Sequence, residues 1–87
     1  MQDQFEITIV YGVNKPLEVR SNETIQDVKR AALAEFGIPT SEENQFVLRA
    51  KQQGREQQLQ ENQTVEQAGL HPHEKVTLAS GTPFGSG

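Results

Sequence analysis

Cysteine is absent from the 87-residue chain, and so is tryptophan. Without cysteine there is no disulfide, no thiolate ligand for a metal and no cysteine nucleophile. Only 33% of the residues are hydrophobic, and no apolar run approaches the length of a membrane span; FEITIVY is far too short. A basic segment followed by an apolar stretch is also missing, so no secretory signal is read and a cytoplasmic location is expected. Charge of positive sign is scarce: eight Lys and Arg stand against twelve Asp and Glu, a net −4, and the basic residues are scattered. A phosphate backbone would be repelled by that balance, which argues against nucleic acid as a partner. The length suits one small domain, expected over residues 1–80, with a tail over 81–87.

What is present is punctuation at short intervals. Phe5, Ile7, Ile9 and Tyr11 alternate with Glu6, Thr8 and Val10, the pattern of a half-buried strand. Gly12-Val13-Asn14-Lys15 offers turn chemistry, and Leu17 and Val19 resume the alternation after Pro16, so a β-hairpin is predicted. Thr24 and Asp27 mark a capped helix start, and Ile25, Val28, Ala32, Leu33 and Phe36 then form one apolar stripe. Gly37 and Pro39 supply the stop. Gln45–Ala50 reads as a strand with Phe46 and Leu48 inward and Val47 outward. The polar stretch KQQGREQQLQENQ reads as a solvated loop anchored by Leu59. Thr64-Val65-Glu66-Gln67 repeats the capping pattern ahead of one short helical turn ending at Gly69. Lys75–Leu78 forms the last strand, with Val76 and Leu78 inward.

That order is α+β, with one main helix packed across a mixed sheet of four to five strands, and the last strand is expected parallel to the first. A β-grasp fits it. The segment PLEVRSNETIQDVKRAALAEFGIP closely resembles the corresponding part of ubiquitin, with the LEV strand, the T-I-x-x-V-K helix start and the G-I-P stop at the same spacing. The similarity runs from Phe5 to Leu78, and the divergent tail resembles bacterial ubiquitin-like modifiers.

The resemblance implies a protein modifier rather than an enzyme. In that family an ATP-dependent activating enzyme adenylates the C-terminal glycine, a conjugating enzyme takes it over, and it ends in an isopeptide bond on a target protein; a JAB-type peptidase trims or releases it. Counting from Val76, the family's terminal glycine falls on Gly85, and Gly87 lies two residues beyond. Basic residues and a terminal double glycine are missing from the tail, so an activating enzyme would read it differently, with Phe84 as a candidate handle. The family's exposed binding patch maps onto Val47 and Ala79, extended by Val13, and its best-known chain-linkage lysine onto Lys51. Lys29 matches a lysine packed against the fold.

Two other roles stay open at this stage: a non-covalent interaction module acting through the face around Val47, and a sulfur carrier ending in a thiocarboxylate. His71-Pro72-His73 lacks the further ligands of a metal site, and no cofactor or metal is expected. No Ser/His/Asp spacing and no phosphate-cradling glycine loop is present, so catalysis is not expected and the chain is read as a monomer.

Overall fold

A computed structural model describes residues 3–52 and 54–81. Strand β1 (Gln4–Tyr11) and strand β2 (Val13–Arg20) form a hairpin, followed by helix α1 (Ile25–Glu35). A 3₁₀ segment (Thr40–Gln45) leads into β3 (Phe46–Gln52), β4 (Arg55–Gln58) and β5 (Lys75–Ser80). The five strands form one sheet in the order β2-β1-β5-β3-β4, with β1 and β5 parallel and the other pairs antiparallel. This is the α+β, β-grasp arrangement, with α1 laid across one face.

The alternation in β1 works as its pattern dictates: Ile7 and Ile9 are fully buried beneath α1, beside Val19 of β2 and Val76 and Leu78 of β5. The apolar stripe of α1 meets them through Ile25, Val28, Ala32 and Leu33, with Phe36 packed at the margin. Thr24 caps the helix, its Oγ1 accepting from the Asp27 amide at 3.1 Å. At the other end Gly37 takes φ 70°; its N–H donates to Ala34 and that of Ile38 to the Leu33 carbonyl at 2.9 Å. That pair of bonds is a Schellman motif, and Ile38 completes it by packing on the core.

The hairpin reversal is tighter than the expected four-residue turn. Tyr11 pairs with Val13 and Val10 with Asn14, so Gly12 alone, at φ 74°, turns the chain, and Val13, Asn14 and Lys15 belong to β2. Pro16 is therefore inside a strand rather than at its start. It stands opposite Thr8, whose N–H donates away from β2, to the Glu74 carbonyl at 2.9 Å. The Thr8–Pro16 pair is thus one that exchanges no hydrogen bonds, where the missing amide proton of proline costs the ladder nothing.

The polar stretch expected as a loop contains a strand. Gln52↔Arg55 through Arg49↔Gln58 pair antiparallel, turning at Gly54 with φ 78°. An edge strand buries little, so β4 is built from polar residues and carries no apolar alternation. Leu59 is its anchor: the side chain is buried and its amide donates to the Leu48 carbonyl at 2.8 Å. The second capping box forms in both directions, with Thr64 Oγ1 accepting from the Gln67 amide at 3.1 Å and Gln67 Oε1 from the Thr64 amide at 3.0 Å. Its single turn ends at Gly69 without extending into a helix.

Lys29 lies inside the molecule at 0% exposure. Its three ammonium protons meet three acceptors: the Glu43 carbonyl at 2.6 Å, the Phe46 carbonyl at 3.1 Å and the Glu61 carboxylate. On the adjoining surface the Arg30 guanidinium donates to the Glu43 carboxylate at 2.8 Å. That hydrogen bond, with the positive charge behind it, holds the Glu43 carboxyl below its ordinary value of 4.5.

Two predictions follow from these ion pairs. Replacing Lys29 by Met strands two carbonyls and a carboxylate that is only 15% exposed, and should cost about 3 kcal/mol in urea unfolding. Glu43 has a lowered folded-state pKa, so its contribution to stability is present above the unfolded value and lost as pH falls through the folded one. An NMR carboxyl titration should place the Glu43 midpoint below 4.5, and Arg30→Gln should raise it.

Candidate interaction surface

The alternation of the β1–β2 ladder decides which main-chain groups are left over. Thr8 donates to Glu74, and Glu6 accepts from the His73 amide at 2.6 Å, so the even residues of β1 turn their main chain toward β5. Their partners in β2 are Asn14, Pro16, Glu18 and Arg20, whose main-chain groups therefore point out of the sheet. The Arg20 amide is satisfied by the Glu23 carboxylate at 2.8 Å, and proline has no amide proton. Two outward donors remain, at Asn14 and Glu18, beside a row of carbonyls. This is the longer free edge of the sheet, eight residues against the four of β4.

Each side of the edge has its own chemistry. On the face bearing α1, Val13 is 59% exposed and its cross-strand partner Tyr11 41%. Tyr11 meets Phe36 and Phe46 edge-on, at ring separations of 5.4 and 6.0 Å. Lys15 sits over the Phe36 ring at 5.1 Å and donates to the Glu35 carbonyl at 3.0 Å, covering the C-terminus of α1. On the opposite face, Glu6 and Glu18 stand directly across from each other and both are exposed.

The expected patch is not the one found. Val47 does face away from the core, paired with Ala79, but it is 2% exposed and does not form a surface. Gly81 lies against it: a Cβ there would stand 3.1 Å from Val47 Cγ2, and the Gly81 amide donates to the Gln45 carbonyl at 3.0 Å. Gly81 thus continues the β3–β5 pairing beside Val47, while Ala79 stays half-buried. Phe84, Gly85 and Gly87 lie outside the described residues. Lys51 and Lys75 are exposed and Lys15 is half-buried, whereas Lys29 is enclosed.

His71 and His73 both reach solvent, and His73 holds the turn before β5 at φ 65°. Among the described residues no cluster of three or more His, Cys, Asp or Glu is placed to hold a metal ion. A cleft of about 370 Å³ opens between the end of β3 and this turn, lined by Lys51, Gln52, Ala68, Gly69, His71 and Glu74. Gln52 closes its floor by donating to the Ala68 carbonyl at 2.6 Å. Among the described residues no helix is long and apolar enough to cross a membrane. The open edge of β2 could have been found in the sequence only through Pro16, since a proline inside an alternating segment marks an edge strand.

The fold is shared with solved structures of low sequence identity. A structure described as molecular mimicry of SUMO promoting DNA repair superposes with a TM-score of 0.74 at 16% identity, covering 91% of this chain and 94% of that one. A de novo design based on ubiquitin gives 0.72 at 22% identity, covering 98% of this chain and 94% of the design. At those identities the likeness is one of fold. A search of curated proteins returns no significant match. The Ras association (RalGDS/AF-6) domain profile matches residues 5–80, the helix and all of the sheet but its first residue, and the chain belongs to that family.

Proposed function

We propose that this domain is a non-enzymatic interaction module that binds a Ras-class GTPase through the edge of β2. The observation that carries the reading is the open edge itself, with the outward amides of Asn14 and Glu18 and the exposed pair Tyr11 and Val13 beside it. An extended segment of a partner would continue the sheet there, its main chain supplying affinity and the flanking side chains discrimination. The family name points to the class of partner. Titration with a Ras-class GTPase loaded with a non-hydrolysable GTP analogue or with GDP tests it. Binding should favour the GTP form, and Glu18→Pro, which removes one outward donor, should weaken it about tenfold, one hydrogen bond's worth. Arg55→Ala on the far edge should leave it unchanged. Equal affinity of the wild type and Glu18→Pro would remove β2 from the interface.

A second reading, conjugation as a protein modifier, is favoured by where the chain leaves the sheet. β5 lies between β1 and β3, so Gly81 follows an inner strand rather than an edge strand. Gly85 or Gly87 would be the acyl terminus, handled by an activating enzyme, a conjugating enzyme and a JAB-type peptidase, and the exposed Lys51 would be the acceptor in any chain. No side chain of this protein is needed as a catalyst in that chemistry. An N-terminally tagged form purified under denaturing conditions should yield C-terminal peptides joined through Gly85 or Gly87 to residues of other proteins. Only free-acid termini in mass spectra would end that reading.

A further inference from the structure

Glu6 and Glu18 face each other at a position of the antiparallel ladder that exchanges no hydrogen bonds, the arrangement that brings cross-strand side chains closest. Like charges placed so are destabilising, by an amount comparable to what an opposite charge would contribute. Among the described residues neither carboxylate is in an ion pair: Arg20, the next residue along on the same face, bridges to neither of them, and the ion pairs lie elsewhere. The charge pair sits beside an edge whose main chain is open at that same residue, Glu18. Five residues earlier, on the other face, Val13 is exposed next to Tyr11.

We infer that the segment added to β2 carries a basic residue beside Glu18 and an apolar residue beside Val13, five positions apart. The spacing follows from the strand itself. A partner strand in register places one residue against each residue of β2, and its side chains alternate faces as those of β2 do. The residue hydrogen-bonded to Glu18 therefore projects on the acidic face and extends the row Glu6–Glu18 by one position. The residue beside Val13 projects on the opposite face, against Val13 and Tyr11. Lysine or arginine at the first position neutralises the acidic pair, whereas an acidic residue there makes three carboxylates in a row. The order is apolar then basic in a parallel addition and basic then apolar in an antiparallel one.

This rests on β2 being the binding edge, as proposed above, and not on the partner being a GTPase. The probes are two octapeptides of alternating threonine and valine, one for each strand direction, each made with Lys and with Glu at the position beside Glu18. Heteronuclear NMR titration of the 87-residue chain should move the Asn14 and Glu18 amides most. The Lys peptide of one direction should bind three- to fivefold or more tightly than its Glu counterpart. With Glu18→Lys the order should reverse, and circular dichroism reports whether that variant is folded. The inference is overturned if Lys and Glu peptides bind alike, if neither binds, or if the shifts centre away from β2. A GTPase that binds through β2 while the peptides show no charge preference would end this inference and leave the earlier reading standing. Peptide discrimination at β2 without GTPase binding would do the reverse.

Discussion

A single ammonium group, that of Lys29, sets the geometry of half the molecule. A lysine fully removed from water must have each of its three protons accepted, or the charge is too costly to keep there. The three acceptors come from three separate segments: the 3₁₀ turn through Glu43, the first residue of β3 through Phe46, and the loop after β4 through Glu61. The position of α1 over the sheet, the inward tilt of the Glu43 carbonyl and the path of the 59–63 loop are therefore one solution. Glu43 is held twice, its carbonyl by Lys29 and its carboxylate by Arg30, so two successive helix residues clamp the same turn from inside and outside. Buried ion pairs contribute little net stability compared with apolar packing of the same volume. The contribution here is to the arrangement: the 3₁₀ segment contains no buried residue and has few other reasons to sit where it does.

With α1 fixed, the two edges of the sheet become unequal. β4 is short and wholly polar, and little apolar surface invites a strand to join it. β2 is twice as long and partly closed: Pro16 removes one outward donor, and Glu23 takes another at Arg20. Two donors separated by a proline are enough to hold a short extended segment in one register, yet they offer a poor template for uncontrolled sheet growth. The like-charged Glu6–Glu18 pair adds to that protection, since a second copy of this edge would bring further acid to the same place.

Elements with a strong local signal were legible in the sequence. The α1 stripe, the Thr24 cap and the Gly37 stop are each dictated by a residue type at a required spacing, and the parallel pairing of β1 and β5 follows from the element order. β4 was not legible, because a polar edge strand has no apolar alternation to read. The 3₁₀ turn was hidden for a related reason, since it is held by Lys29 and Arg30 of α1 rather than by an apolar pattern within TSEENQ. Val47 misleads in a third way. Alternation correctly turns it away from the core cluster, but alternation alone does not set exposure, and the side chain is 2% exposed. Of the proposed binding surface, the outward amides and the acidic pair could be recognised only once the register was known. A shift of one residue would place Glu18 on the helix face and Leu17 in solvent.

The covalent and non-covalent readings draw on different parts of one scaffold. β1 separates β2 from β5, so a strand seated on the β2 edge stands three sheet positions from β5, the strand that ends at Gly81. At a spacing of about 4.8 Å per strand, that places the occupant roughly 14 Å from β5, measured across the sheet. β1 and β5 run parallel, however, so the Gly12 reversal and the Gly81 exit share one end of the sheet. A partner confined to the part of β2 around Glu18 leaves that end free. One that also covers Tyr11 and Val13 comes close to the exit. The length of segment laid on β2 is therefore the physical variable that decides whether this domain can be bound at its edge and handled at its C-terminal side at the same time.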